Sequence, residues 1–513
     1  MDAAPTFADV VEEEIERLRA ERKAKKLAEI ADLQVDDRPE PTSDGKLGFL
    51  PRKFQRFDDA PPAKRRRLKV FNWNVLAQAL VRRELFPGSD LLKVKDRVPV
   101  IAREIVHYEP DIACLQEMDR LETHNRTFSA AGYSTHSFTG YADKQHSLVI
   151  AWRTSKLRRA GMREIRLDET AFSETAPERE DGQEPKRRMG LTRVTRNVGL
   201  ILALELKDGS GGVIVATTHA HWHVAYKYER ARQIGLLLRE IVDFRRTLRG
   251  GECADWPIIY AGDFNSQPND PSYRLLAGAP LLPVHLAEID RARMVHSSVD
   301  KLAAEHVAFP FPKPKTSGED GGEESEGGPY IEEEGDRDRV LKGCRHATPE
   351  DGLLTDDELR ALFTDAPPLR SAYGRNYGRL GAEHAQFFRD RPDDQQPGGW
   401  AEFGMLEDVA DEDKLRRGDC EPLYTSVTPI WRCTLDYIFT GEEMHVDGLL
   451  PIHRIEELEG GLPRANVGPS DHMGLMVRAL TTSRRKLLQL LLGSRAAECA
   501  LRVADVHQAE LVW

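Results

Sequence analysis

Between Leu68 and Ala479 the chain carries eight short apolar runs, and most of them carry an amide, a carboxylate or an imidazole at or next to one end. The runs are LKVFNWNV (68–75), DIACLQ (111–116), SLVIAW (147–152), NVGLILALEL (197–206), GVIVATTHA (212–220), WPIIYAG (256–262), TLDYIFT (434–440) and HMGLMVRA (472–479). Runs of this length with almost no polar interruption read as strands buried on both faces. Between them, Val98, Ile101 and Ile105 mark a helix with Asp96 as its expected N-cap, and Tyr228 to Phe244 marks a longer one. Asp270-Pro271 opens a third, with a capping residue followed by proline at the first helical position. Strands alternating with helices require sheets covered by helices, an α/β architecture.

The rest of the chain frames this central part. Of 513 residues, 40% are hydrophobic, enough for a large core, and the formal net charge of −12 excludes a generally basic, nucleic-acid-coating protein. It does not exclude an enzyme with a small cationic site, because a bound metal ion supplies local positive charge. Six cysteines (Cys114, Cys253, Cys344, Cys420, Cys433 and Cys499) are scattered without a CxxC pair, which suits a reducing compartment and neither a disulfide framework nor a zinc site. The start, MDAAPTFADVVEEEIERL, is acidic and lacks the apolar core of a secretory signal, and no run approaches membrane-spanning length. A soluble protein of the cytoplasm, also compatible with the nucleus, is expected.

Three parts are expected: an N-terminal charged helix and linker over 1–66, a catalytic domain over 67–480, and a helical tail over 481–513. Glu13–Arg17 and Glu21–Lys25 support the first helix at i,i+4 spacing, and it is a candidate contact for a protein partner. Leu487, Leu488, Leu491 and Leu492 build the tail. The run Lys64-Arg65-Arg66-Arg67 reads as a localisation signal, an RNA-phosphate contact or a solvated lead-in to the first strand. Polar or acidic insertions are expected at 167–190, 311–352 and 382–420, with Tyr373 and Tyr424 flanking the last as structured residues. No internal repeat is present, and nothing in the sequence sets an oligomeric state.

The chemistry gathers where the runs end. In Gly262-Asp263-Phe264-Asn265-Ser266-Gln267-Pro268, a carboxylate and an amide leave a strand end at i and i+2, on one side of an extended backbone. The same letters also spell a turn. Glu117 follows a buried run as either a site carboxylate or a loop-start residue, Asn74 ends another run, and His219 ends a third. His221 and His223 follow around Trp222; Asp436 opens one late run, and Asp471-His472 precedes the apolar stretch of another. Groups collected at strand ends converge on one rim. Carboxylates and amides without clustered cysteine suit Mg²⁺ or Mn²⁺, which polarise a phosphoryl group for in-line attack by water. Asp436 is suited to hold His472 in one tautomer.

The ordered set FNWNVLAQAL, CLQEM, TTHAHWH, GDFNSQP, TLDYIF and PSDH resembles the endonuclease/exonuclease/phosphatase superfamily. More narrowly it resembles the deadenylase-type branch, which holds the carbon-catabolite-repressor deadenylases, nocturnin and the Angel proteins. TTHAHWH with YERARQ, and EPLYTSVTP before TLDYIF, are most similar to the fungal Ngl-type RNA exonucleases. The resemblance covers about 68–300 and 360–480 and implies a four-layer, DNase I-like α/β sandwich: two mixed sheets face to face, flanked by helices. It implies Glu117 as the principal Mg²⁺ ligand beside Asn74, and Asp263 and Asn265 orienting water and phosphate. His219 and Asn197 would lie at the phosphate, His472, oriented by Asp436, would stabilise the transition state or act in proton transfer, and Asp471 would be a ligand for a second ion. Arg230 and Arg232 are candidate phosphate contacts, against the alternative that they are structural. Two departures stand out. Ala220 replaces the usual leucine after the histidine, and Lys144-Gln145-His146-Ser147 replaces a glycine-bearing turn, making Lys144 and His146 candidate nucleotide contacts; Trp222, between His221 and His223, is a further candidate substrate contact.

These residues favour a 3′-to-5′ RNA exonuclease that trims poly(A) or other RNA 3′ ends and releases 5′-nucleotides. One alternative is a nocturnin-like phosphatase that removes the 2′-phosphate of NADP(H). The other is a non-catalytic binding scaffold, which predicts loss of Glu117, Asp263, Asn265 or His472; all are present.

Overall fold

The computed structural model describes residues 47–57, 66–172, 188–305, 341–390 and 418–481. The expected helices near both ends of the chain, with Lys64, Arg65 and Cys499, fall outside the described residues. Along the chain, β1 (Gln55–Arg56), β2 (Arg66–Asn74), β3 (Ile112–Met118), β4 (Tyr133–Phe138) and β5 (Ser147–Arg153) come first. Next come β6 (Leu157–Arg166), β7 (Val198–Leu206), β8 (Gly212–His219) and β9 (Ile258–Asp263). β10 (Met294–His296) and β11 (Cys344–His346) pair as a small antiparallel two-stranded sheet. After it come β12 (Leu369–Ser371), β13 (Ser426–Val427), β14 (Arg432–Cys433), β15 (Asp436–Gly441), β16 (Met444–Leu449) and β17 (Leu475–Thr481).

Two large sheets result. One has seven strands in the order β1-β16-β17-β2-β3-β5-β4, the other six in the order β12-β15-β9-β8-β7-β6. Both are mixed, and each holds one parallel pair flanked by antiparallel neighbours: β2 with β3, and β8 with β9. Alternate side chains of each strand go to opposite faces, and here both faces are covered. Val70, Ile112, Cys114 and Ile150 of the first sheet share a core with Leu200, Leu202, Val215 and Ile259 of the second. The alternate positions Phe71, Trp73, Ala113 and Leu115 pack with Val100, Ile101 and Ile105 of helix Val94–Tyr108 and with Phe128 of helix Leu121–Ala130. On the far side Ile201, Ala203, Ile214 and Tyr260 pack under Ile234, Leu237 and Ile241 of helix Lys227–Thr247. The architecture is the four-layer α/β sandwich implied by the resemblance.

Two helix starts differ in detail from the sequence reading. The 94–108 helix begins after Lys93, and Asp96 lies inside its first turn, where the carboxylate still meets the positive end of the helix dipole. Helix Pro271–Leu276 does follow Asp270 at the N-cap, but that side chain does not cap it. Its carboxylate instead accepts from the Gln267 backbone N–H at 3.1 Å and pairs with Lys227 Nζ at 2.8 Å. An ammonium is the stronger partner for a buried carboxylate.

Tyr373 and Tyr424 are both buried, and the Tyr373 hydroxyl joins the chain at Leu450 and Met476. Arg67 is held by Asp447 at 2.8 Å, a structural use of the one described side chain from the basic run. Among the described residues no helix is long and apolar enough to cross a membrane.

Candidate active site

The strand directions place the chemistry on one edge of the sandwich. The C-terminal ends of the parallel pairs carry Asn74 (β2), Glu117 (β3), His219 (β8) and Asp263 (β9). The antiparallel strand β15 runs the other way, so its first residue, Asp436, stands opposite Asp263 in register. For the same reason His472 lies just before β17 on the same rim. Each group thus stands at a strand end that the sheet ladder holds rigid.

Backbone strain marks the rim. Among the described residues, eight non-glycine residues have positive φ, and five lie at or beside the catalytic strand ends: Leu76 (59°), Glu117 (57°), Arg120 (51°), Arg196 (59°) and Asn265 (48°). At Glu117 the β3–β5 register shifts between Leu115 and Met118, so a bulge turns its carboxylate out of the ladder toward the rim.

Asn74 links the two sheets. Its Nδ2 donates to Glu117 Oε1 at 3.1 Å and to Asp263 Oδ2 at 2.9 Å, drawing two buried carboxylates to one amide. Glu117 Oε2 also accepts from the Ala77 backbone N–H at 2.8 Å. Burial pushes the Glu117 carboxyl up, but His219, His146 and these two donors outweigh it and hold the group below its ordinary value. His219 lies between the acids, Nδ1 at 3.7 Å from Glu117 Oε1 and Nε2 at 3.5 Å from Asp263 Oδ2. Asn197 Nδ2 donates to the His219 carbonyl, while Asn265 Nδ2 donates to that of Ala220 at 2.9 Å. Asn265 N–H donates to Asp263 Oδ1 at 2.9 Å and fixes that carboxylate's rotation.

His472 has a separate support. Its Nδ1 donates to Asp436 Oδ2 at 2.7 Å, and its Nε2 lies 3.8 Å from Asp263 Oδ2. Burial opposes the imidazolium, yet Asp436, Asp471 and Asp263 together raise its pKa well above the usual histidine range. Burial also pushes the Asp436 carboxyl up, against the pull of His472 and of the hydrogen bonds it accepts. The Thr425 hydroxyl donates to the same Asp436 oxygen at 2.7 Å and accepts from the Leu435 and Asp436 backbone N–H groups. Asp471 is buried, and burial together with Glu117 lifts its pKa to about 6 against His472 and Arg97.

Asp263, Asp436 and His472 lie close enough to share one ion. Asp436 Oδ2 and His472 Nδ1 are also bonded to each other, the arrangement of an acid–imidazole pair. Glu117 and Asp263, two carboxylates gathered by one amide, are the hard oxygen set that suits a divalent cation, and Asp471 extends it.

The rim opens into a groove of about 770 Å³ lined by Asn74, Glu117, Asn197, His219, Asp263, Asn265, Asp471 and His472, with Lys144, His146, Trp222 and Arg230 also on its wall. Trp222 is 44% exposed, and Leu80, Val194 and Val224 join it as exposed apolar surface in the groove. Lys144 Nζ is tied to the Arg196 carbonyl at 3.1 Å. Burial lowers the His146 pKa to about 4, against the pull of Glu117.

The two helix arginines differ. Arg230 touches the groove, but its guanidinium serves the His221, His223 and Val224 carbonyls. Arg232 does not reach it. It is wholly buried, paired with Glu229 at 2.6 Å and bonded to the Met189 and Leu167 carbonyls, so its reading as a phosphate contact gives way to the structural one.

Several contributors were not singled out from sequence. Thr425 is one, inside the YTSVTP string. Arg97 is another. Its buried guanidinium donates to the Val75, Leu76 and Pro469 carbonyls at 2.6–2.8 Å, joining the loops that carry Asn74 and Asp471. Burial lowers its pKa to about 10, with Asp471 foremost in opposing this, so it stays charged. Arg82, Arg193 and Trp431 also line the groove. The available signal was positional: cations and a tryptophan on loops that directly follow or precede a catalytic run.

Comparison with known proteins agrees with this geometry. The profile of the Endonuclease/Exonuclease/phosphatase family matches residues 71–472. The RNA exonuclease NGL2 of Saccharomyces cerevisiae is 29% identical over 74% of this chain and 73% of its own length. A probable RNA exonuclease of Schizosaccharomyces pombe is 26% identical over 80% and 75%. Human nocturnin is 26% identical over 46% and 52%.

Proposed function

Because the chain belongs to the endonuclease/exonuclease/phosphatase family, whose members are hydrolytic enzymes that generally use divalent metals, we propose that it is a Mg²⁺-dependent 3′-to-5′ RNA exonuclease releasing 5′-nucleotides. The observation that carries the reading is the meeting of Glu117, Asp263 and the His472 imidazolium at the floor of an open groove. The groove wall bears exposed Trp222 and the cations Lys144 and Arg193. In a chain of net charge −12, such local cations are what a polyanion would meet. Exposed aromatic and apolar side chains offer stacking surface to unpaired bases, which suits a single-stranded 3′ end. The relatives named as RNA exonucleases point to the same substrate.

On this reading the catalytic unit is 67–480. Glu117 and Asn74 would hold a Mg²⁺ or Mn²⁺ ion, with Asp471 available for a second, and the ion would supply charge for the phosphoryl oxygens and the leaving oxygen. Asp263, its rotation set by Asn265 and Asn74, orients and deprotonates the attacking water. His219, Asn197 and Asn265 surround the phosphate position. His472 Nε2, protonated and backed by Asp436, donates toward charge that develops on a phosphoryl oxygen in the transition state.

The test uses 5′-labelled RNA with a defined 3′ tail, alongside NADP(H), each in Mg²⁺ and in EDTA. A ladder of progressively shorter RNA that vanishes with EDTA and with Asp263→Ala is the expected result. Intact RNA with release of phosphate from NADP(H) would replace the exonuclease by a small-nucleotide phosphatase.

A further inference from the structure

The interface between the two sheets is apolar along most of its length, with Val70, Ile112, Leu200, Val215 and Ile259 facing one another. One level below the catalytic rim it becomes polar. Gln116, fully buried on β3, donates from Nε2 to Asn72 Oδ1 on β2 at 2.9 Å and to Thr217 Oγ1 on β8 at 2.9 Å. Asn72 Nδ2 in turn donates to the Gly262 carbonyl on β9 at 3.1 Å. The amide orientations agree with one another: because Asn72 gives its NH₂ to Gly262, its oxygen faces Gln116 and needs a donor there. Two of these three bonds cross from one sheet to the other.

Their positions along the chain are informative. Asn72 lies two residues before Asn74, Gln116 one before Glu117, Thr217 two before His219, and Gly262 one before Asp263. Hydrophobic contact is non-directional and tolerates sliding, whereas a hydrogen bond fixes its partners to within a few tenths of an ångström. Burying amides between two apolar sheets costs desolvation that an aliphatic layer would avoid, and Gln116 Oε1 is even left without a partner. Stability alone therefore does not account for this layer.

We propose that Gln116, Asn72 and Thr217 form a cross-sheet clamp that sets the spacing between Glu117 on one sheet and Asp263 and His219 on the other. They are positioning residues that act through the metal-holding and water-orienting side chains above them. The inference rests on the reading that Glu117 and Asp263 serve one phosphodiester.

Thr217→Val cuts the bond from Gln116 and keeps the side-chain shape, and Thr217→Ser keeps the hydroxyl. Mn²⁺ binding to the full chain is followed by electron paramagnetic resonance, turnover with both RNA and bis(p-nitrophenyl) phosphate, and thermal unfolding beside them. In Thr217→Val, Mn²⁺ affinity should fall roughly tenfold, and kcat by a similar or larger factor because reacting groups are misplaced. Its Tm should stay within about 5 °C of wild type, and Thr217→Ser should restore both properties. Wild-type Mn²⁺ affinity and kcat in Thr217→Val, whatever its Tm, would overturn the clamp. If Thr217→Val folds poorly, Thr217→Ser decides: loss of Mn²⁺ affinity in a folded Thr217→Ser also overturns it. A wild-type protein that binds Mn²⁺ but leaves RNA intact sinks the exonuclease reading, and the Mn²⁺ comparison still decides this one.

Discussion

The two sheets are built alike at their centres and differ at their ends. Each has one parallel pair whose C-terminal ends reach the rim. On the second sheet the rim groups stand in unbroken register, His219 beside Asp263 and Asp263 beside Asp436. On the first, the ladder breaks at a bulge, and Glu117 takes a left-handed backbone conformation. A regular ladder suits groups that must keep fixed distances from one another, as a base and its proton partners do. A bulge suits a carboxylate that must leave the sheet plane to meet a ligand. The division is between Asp263, braced by its neighbours on the second sheet, and Glu117, turned out of the ladder of the first, which also brings His472 to the rim just before β17.

The largest effect should come from the second sheet. Asp263→Ala removes the acid that orients water and should lower kcat by about 10³-fold or more, with Mn²⁺ still bound through Glu117. Equal loss of metal binding in that variant would erase the division between Asp263 and Glu117. Glu117→Gln should behave oppositely. The half-activating Mg²⁺ concentration should rise by roughly 10- to 100-fold, and much of the rate should return when Mg²⁺ is raised. A rate that stays low at saturating Mg²⁺ would put Glu117 in the chemistry as well.

Thr425→Val sharpens the comparison within the second sheet. It removes one donor from Asp436 Oδ2 and leaves His472 in place. A kcat loss of about tenfold at unchanged KM is expected, within the range for a single hydrogen bond to a charged group.

The smallest effect concerns stability. Burial raises the Glu421 pKa to about 7, as it does that of Glu104, although Arg52 opposes the shift at Glu104. Between the ordinary glutamate value and about 7 the folded chain holds protons that the unfolded chain has released. Stability therefore falls as pH rises through that window. Glu421→Gln should flatten the slope, by at most about 1.4 kcal/mol per pH unit, in urea unfolding run from pH 5 to pH 8. An unchanged slope would mean that Glu421 is ionised in the folded protein.

How much of this was legible follows from burial. The eight runs became strands because both their faces lie inside the sandwich and their composition shows it. β4 (YSTHSF) and β6 (LRRAGMREIR) stand at sheet edges and are only partly buried, so polar side chains hide them from a search for apolar runs. β16 is obscured by Asp447, a buried carboxylate that answers Arg67 and Arg478. Catalytic candidates were readable where a polar group interrupts or ends an apolar run, as Asp263 and Glu117 do. Thr425 acts across a loop on Asp436, Arg97 on a carbonyl 372 residues away, and Arg232 takes its partner from its own helix. No local pattern separates such arginines from phosphate binders.

The seven-stranded sheet has a chronology as well as a geometry. Its second and third strands, β16 and β17, come from the last part of the described chain, yet they lie between β1 and β2, which are synthesised first. His472 arrives with them. A ribosome has therefore translated nearly the whole sandwich before the first sheet closes, and pairings so distant in sequence form slowly. Until then the nascent chain holds Glu117 and Asp263 without the imidazolium beside them. The rim therefore gains its full set of side chains only when the strand that follows His472 has joined the first sheet.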